Sequence, residues 1–400
     1  MNKEIKATFR IVTPMFLGDW EQGVGDGIRP PSVKGALRFW WRALNWKTAI
    51  KQSNNDENKA LKWLHKEEAR LFGAAAGENG GGQGVFLLKV TQQEMLKETP
   101  KLQPGQQYLA GQGLWHFRNG LLRQCIARDQ KFDIEIRFSN KTNDADKKNI
   151  GNAILIFGLL GGLGSRARKG FGSLSLESIE GVGDFAIPSN EQEYKSAIKN
   201  LVTSDIEELP PFTAFSKKTR IDISQKGRDA FTVLNEIGRQ MQMYRSYGHN
   251  RNGVHIVDSK PAEQNFKNDH DAMLNFSRNN TLLFVPRRTV FGMPHNYFFS
   301  STKANIEFFP KLKPSDDSGR RASPLDESGR RASPLFIHIH KFSNGESIGV
   351  QALIPSTFLP DSAEVYAKMD KATASQEVSV DWQVIGDYLD RFKSRTEVIR

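Results

Sequence analysis

Cysteine is nearly missing from this sequence. Cys125 is the only one in 400 residues, which excludes an internal disulfide and every Cys-rich zinc module, and suits a reducing compartment. No apolar run reaches the roughly 18 residues that a membrane span needs. The opening stretch MNKEIKATFR has no signal-peptide core, so the expected location is cytoplasmic. Acidic residues are in deficit, 45 Asp and Glu against 56 Lys and Arg, which leaves a formal net charge of +11. That surplus favours a polyanionic partner: nucleic acid, an anionic membrane surface or an acidic protein. There is no H-E-x-x-H or G-x-x-x-x-G-K-[ST], so zinc-protease and P-loop chemistry lack their signatures. No cofactor is implied.

What is present is a globular composition, 38% hydrophobic with 26 Phe and seven Trp, in a chain long enough for two cores. Ile5, Ala7, Phe9 and Ile11 alternate with Lys6, Thr8 and Arg10, the pattern of a half-buried strand. After a glycine-rich loop comes RPPSVKGALRFWWRALNW (29–46). Ser32 can cap a helix there, with Val33, Leu37, Trp40 and Leu44 on one face. A second helix is expected over 60–72, stopped by Gly73. Strands are expected at 84–90 and 131–139, then a helix in NIGNAILIFGLL and a strand at 171–179. Strand, helix, strands, helix, strand is the ferredoxin-like or RRM-like plan. The stretch 181–211 reads as a connector.

A similar order returns beyond it. RIDIS (220–224) and TLLFVPRRTVFG (281–292) are strand candidates, with a helix over 228–247 between them. PLFIHIHKF and SIGVQALIP flank Asn344–Gly345, a hairpin signal, and 380–392 is an amphipathic helix. The predicted fold class is therefore α+β. Two tandem ferredoxin-like domains occupy 1–180 and 212–400, with insertions at about 248–281 and 300–333. DDSGRRASPL (316–325) is repeated at once as DESGRRASPL (326–335). Two copies do not make a solenoid, and the second, which runs into a strand, is expected to hold the fixed position.

Several features could carry chemistry. Lys34, Arg38 and Arg42 are four apart and form a basic stripe beside the apolar face of the first helix, with Trp41 between the two. That arrangement suits phosphate contact near a stacking ring, although the tryptophans themselves read as core. The stretch GGLGSRARKGFG (161–172) is the strongest feature. Gly161, Gly162, Gly164, Gly170 and Gly172 permit close backbone approach to a ligand, Arg166, Arg168 and Lys169 supply charge for phosphate, and exposed amides add donors. A G-x-G-x-x-G/A match inside it needs a strand before and a helix after, and the order here is reversed, so a dinucleotide site is rejected. Arg287–Arg288 and Arg330–Arg331 are further basic pairs at expected strand edges. His338 and His340 share a strand face and could chelate a metal, but no third ligand accompanies them, and a solvated face is the simpler reading. The scattered histidines leave open a metal-independent ribonuclease with a general acid and base.

Three segments together, ATFRIVTPMFLG, RPPSVKGALRFWWRAL and GGLGSRARKGFGSLSL, resemble the RAMP superfamily of CRISPR-associated proteins. Within it they are similar to the first subunits of type III-B (Cmr) RNA-targeting effector complexes, as are VFGMPHNYFF and GRRASPLFIHIHKF. The resemblance implies two ferredoxin-like domains and a place in an antiviral ribonucleoprotein beside other RAMP subunits. It implies contact with CRISPR guide RNA, towards its 3′ end, or with target RNA, without target cleavage and without a membrane. Lys34, Arg38 and Arg42 then match the basic first helix, and Arg166, Arg168 and Lys169 the glycine-rich loop. The duplicated DDSGRRASPL departs from the pattern, which puts a role for Arg320 or Arg321 in doubt. Two alternatives stay open: a RAMP-type endoribonuclease that processes CRISPR RNA, and a protein-interaction subunit with little RNA affinity of its own.

Overall fold

The computed structural model describes residues 3–18, 27–75, 82–183, 185–299, 301–312, 330–360, 363–370 and 372–400. The alternating segment at the start forms β1 (Glu4–Ile11). Helix α1 runs from Pro30 to Gln52; Pro supplies its first position and Ser32 makes no cap, because fixed φ and a missing N–H already suit a helix start. Helix α2 (Glu57–Phe72) is capped by Asp56, which accepts from the Lys59 amide at 3.0 Å. Next come β2 (Phe86–Gln92), the short α3 (Pro104–Ala110) and β3 (Lys131–Phe138). Then come α4 (Asp144–Leu160), capped by Asn143, and β4 (Leu174–Glu180). These strands form one antiparallel sheet in the order β4-β1-β3-β2, the arrangement of a ferredoxin-like domain.

The stretch 181–211 is more than a connector. It contains α5 (Glu191–Leu201), whose Tyr194 and Ile198 are wholly buried. The Tyr194 hydroxyl donates to the Leu159 carbonyl at the end of α4. Two apolar residues one turn apart in a polar helix were enough to dock it.

The second half contains β5 (Arg220–Gly227), α6 (Ala230–Arg245), α7 (Lys267–Asn279), β6 (His295–Phe299) and β7 (Ala304–Leu312). It continues with β8 (Leu335–Lys341), β9 (Ser347–Leu353), β10 (Ala363–Met369), β11 (Ala372–Gln376), α8 (Gln383–Asp390) and β12 (Thr396–Ile399). The order β8-β9-β5-β12 repeats the first sheet's arrangement, second-third-first-fourth in chain order. Asn344–Gly345 closes the β8–β9 hairpin with Gly345 at φ 85°. A further sheet, β6-β7-β10-β11, is built from two insertions with its own core of Tyr297, Ile306, Phe308 and Val365. The expected insertion at 248–281 holds a small three-stranded sheet (249–261) and α7. The expected strand over 281–292 does not form. Arg287–Phe291 is a 3₁₀ turn between Pro286 and Gly292, since the five residues between a proline and a glycine leave no room for a ladder. The first DDSGRRASPL copy, with Arg320 and Arg321, lies outside the described residues. Residues 330–335 of the second lead directly into β8.

The two halves share cores. Phe9, Leu37, Trp40 and Ile154 belong to one cluster with Ile221, Phe336 and Val350. Phe16 and Phe171 join a second one with Leu234, Ile337 and Tyr388. Helix α3 of the first half lies on α6 of the second, where Gly105 meets Gly238 backbone to backbone and the Gly105 amide donates to Asn235 Oδ1 at 3.0 Å.

Candidate nucleic-acid interface

The glycine-rich stretch is the seam between the halves. Gly161 ends α4, and its carbonyl accepts from His338 Nδ1 at 2.9 Å. The Ile337 amide donates to the Arg168 carbonyl at 3.0 Å, and the Ile339 amide to Ser173 Oγ at 3.1 Å, so the loop lies along β8. The glycines serve this docking. A Cβ on Gly162 would sit 2.8 Å from the Gly172 carbonyl oxygen, one on Gly164 2.6 Å from that of Phe16, and one on Gly161 2.4 Å from that of Phe157. Gly170 and Gly172 also have φ of 83° and 61°, which only glycine adopts without strain. The close approach predicted for a ligand is thus made to the protein itself. The loop amides follow suit. Those of Leu163, Ser165, Lys169, Gly170 and Gly172 already donate to backbone carbonyls, so they are not a free set of anion donors.

The loop's cations behave differently from its backbone. Arg166, at φ 65°, donates from Nε to the Ala110 carbonyl at 2.7 Å and from Nη2 to the Gln112 carbonyl at 2.6 Å. Arg168 donates to the Ser333 carbonyl at 2.8 Å and packs 4.5 Å from the Phe336 ring centre. Burial, with Arg331 nearby, pushes its pKa down to about 10. Lys169 keeps some surface, but its ammonium nitrogen is sealed from solvent and has no hydrogen-bond partner. Burial, then Arg245, Arg166 and Arg168, push its pKa down to about 7. Arg245, at the end of α6, lies over the Phe291 ring at 4.5 Å with its Nε also sealed and unbonded. Arg123 donates to Ser165 Oγ, and both Arg123 and Arg330 act on Arg166 to lower its pKa, after burial. Arg331 is 5% exposed, donates to Ser356 Oγ at 2.7 Å, and is pushed down to about 10 by burial. Among the described residues Arg123, Arg166, Arg168, Lys169, Arg245 and Arg331 meet neutral acceptors or none. Carbonyls and hydroxyls satisfy geometry, but they leave the formal charge uncancelled.

The other predicted cations are arranged otherwise. Arg38 and Arg42 on α1 face Glu68 of α2, with Nε of Arg38 at 3.8 Å and Nη1 of Arg42 at 3.2 Å from its carboxylate. Arg38 also donates to the Gly73 carbonyl. Lys34 sits over the Phe86 ring at 5.6 Å, its pKa lowered by burial and then by Arg38. The stripe therefore braces α2, and Trp40, Trp41 and Trp46 are core. Arg287 pairs with Asp381 at 2.6 Å. Arg288 stacks 4.0 Å from the Tyr297 ring centre and donates to its hydroxyl at 2.8 Å and to the Arg245 carbonyl at 3.2 Å. This pair lies on the 3₁₀ turn, not at a strand edge. After burial, Arg288, Arg245 and, more weakly, Lys169 hold the His295 pKa well below its usual value.

His338 and His340 are 1% and 2% exposed, which overturns the solvated face. β8 is covered on this side by the loop and by α4, and burial pushes both imidazoles down to about 3. Among the described residues no three His, Cys, Asp or Glu side chains gather to hold a metal ion. Cys125 is buried, its pKa pushed up to about 12. No described helix is long and apolar enough to cross a membrane. Sequence reading missed Arg123 and Arg245. Neither stands in a basic run, and only the tertiary fold brings them to the loop.

Comparison with known proteins agrees with this architecture. Residues 8–175 match the RAMP superfamily family model. No curated protein matches the sequence significantly. Among solved structures, apo Cmr1 from Pyrococcus furiosus is similar over 99% of this chain and 98% of its own, with a TM-score of 0.54 at 16% identity. A chain of the type III-B Cmr-beta complex bound to cognate target RNA is similar over 98% of both, with a TM-score of 0.51 at 12% identity. A chain of the same complex with AMPPnP, in the presence of ssDNA, gives 0.52 at 13% over the same shares. The match from 8 to 175 covers most of the first ferredoxin-like sheet and the glycine-rich loop, so this part of the chain is similar to RAMP-superfamily domains, and the whole chain has the tandem fold of those Cmr structures.

Proposed function

We propose that the chain is a non-catalytic, RNA-binding subunit of a type III-B CRISPR effector ribonucleoprotein, contacting guide RNA towards its 3′ end, target RNA, or both. The observation that carries this reading is the uncompensated cation cluster at the seam, with Lys169 at its centre. A buried ammonium without a partner and with cationic neighbours is costly. A backbone phosphate resting on the exposed Arg166 end of the cluster supplies the missing counter-charge, which acts on the sealed ammonium through the low-dielectric interior without bonding it. The fold likeness to chains of RNA-bound Cmr complexes adds the assembly, and the partners are then RNA and the other RAMP subunits. Cytoplasmic location follows from that assembly.

The open face of the first sheet is less suited to RNA. It carries Arg10 against Glu177 at 2.6 Å and Lys131 against Glu177 at 2.7 Å, with no ring for a base. The test is anisotropy titration of fluorescent single-stranded RNA with Lys169→Met and Arg245→Met chains. Each folded variant is expected to lose affinity and to shallow the salt dependence by about 0.7 in the log–log slope. Unchanged affinity and slope in both would overturn the assignment. A protein-interaction role is favoured by Phe298 and Leu283, which are 68% and 59% exposed on the inserted region. Normal RNA binding with failed co-purification of neighbouring subunits in Phe298→Ser would support it.

A further inference from the structure

Between β2 and β3 the chain makes a small hairpin beside the glycine-rich loop. Trp115 pairs with Leu121 and His116 with Gly120, and the Leu122 amide donates to the Leu114 carbonyl at 2.9 Å. Leu114, at its base, is buried, but Phe117, at its tip, is 70% exposed, the largest exposure of a big apolar side chain among the described residues. A phenyl ring this exposed gains little from burial in the isolated chain. Its neighbours are cationic or aromatic. The Arg118 guanidinium lies 5.1 Å from its ring centre and the His116 ring 4.7 Å away.

The hairpin is also tied to the cation cluster. Arg166 holds the carbonyls of Ala110 and Gln112, which lead into it, and Arg123, which leaves it, bonds Ser165. The ring is therefore held at a fixed position relative to Arg123 and Arg166. Among the described residues neither of these, nor Arg118, is ion-paired with a carboxylate. A second protein chain approaching so cationic a site would need an acidic patch plus an apolar pocket. A single nucleic-acid strand brings both chemistries in every nucleotide.

We propose that Phe117 is a stacking platform for an unpaired nucleobase of the RNA strand whose phosphates lie on Arg123 and Arg166. The inference rests on the RNA-binding reading above and adds to it a base contact without sequence preference, since every base offers a π-face.

The experiment titrates the full chain with single-stranded RNA and with a strand of the same length carrying consecutive abasic sites. Phe117→Ala is expected to weaken binding to ordinary RNA roughly ten-fold while leaving the salt slope as it was. Phe117→Trp is expected to retain affinity. The parent chain should lose a similar factor on abasic RNA, and Phe117→Ala should be indifferent to it. Equal binding of both strands by parent and Phe117→Ala would overturn the stacking role. So would loss of association with a partner subunit and unchanged RNA affinity. Loss in Lys169→Met with none in Phe117→Ala sinks only the stacking; no loss in either sinks the RNA reading itself.

Discussion

Replacing Lys169 by methionine tests the physical basis of the site more directly than charge reversal. Reversal at Arg168 would break the Phe336 packing and the Ser333 bond that hold the seam. Burial lowers the Lys169 pKa from 10.5 to about 7, and each tenfold change in proton affinity is worth about 1.4 kcal/mol. Holding this group in the fold at neutral pH therefore costs on the order of 4 kcal/mol. The unfolded chain binds the proton more tightly. Stability of the RNA-free protein is thus lowest below about pH 7 and rises as pH climbs towards 10.5. Methionine has nearly the same length and no charge. The RNA-free variant is expected to gain about 2–4 kcal/mol at pH 7, measured by urea unfolding, and to lose most of that rise with pH. Its RNA affinity should fall in the same preparation. A variant less stable than the parent, or one that keeps the full pH slope, would refute a sealed and unpaired ammonium. A stabilised variant with unchanged RNA affinity would show that the missing anion is not RNA.

Four further outcomes are expected. The pair Arg38→Gln and Arg42→Gln should cost no more than about 1 kcal/mol in unfolding assays and leave RNA affinity within about two-fold, because these side chains brace Glu68. Gly170→Ala, with φ 83° and a Cβ that would lie 2.5 Å from Leu234 Cδ1, should destabilise by about 2 kcal/mol or more by calorimetry. His338 and His340 have pKa values pushed down to about 3, so the unfolded chain takes up protons first. Stability should fall as pH drops from about 6.5 towards 3, by up to about 1.4 kcal/mol per pH unit for each, and Asn at both positions should flatten that limb. Finally, RNA incubated with the pure chain in chelator should stay intact. The place to check is Tyr247, stacked 3.5 Å from His270 and 4.6 Å from His255; a product lost in His270→Ala would restore the ribonuclease alternative.

Periodicity made much of the architecture legible. The alternation in 5–11, the helical face of 33–44 and the Asn344–Gly345 turn each depend on neighbours in sequence, and each appears as read. The repeated ferredoxin-like order was visible for the same reason, since it is a series of local signals. Misreadings occurred where distant chain decides burial. His338 and His340 alternate with apolar residues like a solvated face, but they are covered by a loop 177 residues away. The glycines of 161–172 carry the signature of close approach without saying to what. The basic stripe on α1 looked free because Glu68 lies on another helix. Conversely, Arg123 and Arg245 gave no local sign, and the cluster exists only through the packing of both halves.

The seam has a consequence for cutting the molecule. The loop of one half bonds along β8 of the other, α3 lies on α6, and their apolar clusters run across the boundary. Each half alone would expose a broad apolar face, and the second half also the unbonded edge of β8. Residues 181–211 are thus a covalent tether more than a hinge. Co-expressed fragments split near Pro210 should find each other and reassemble, whereas either one produced by itself should aggregate. The protein would then behave as an obligate heterodimer that happens to be translated as one chain.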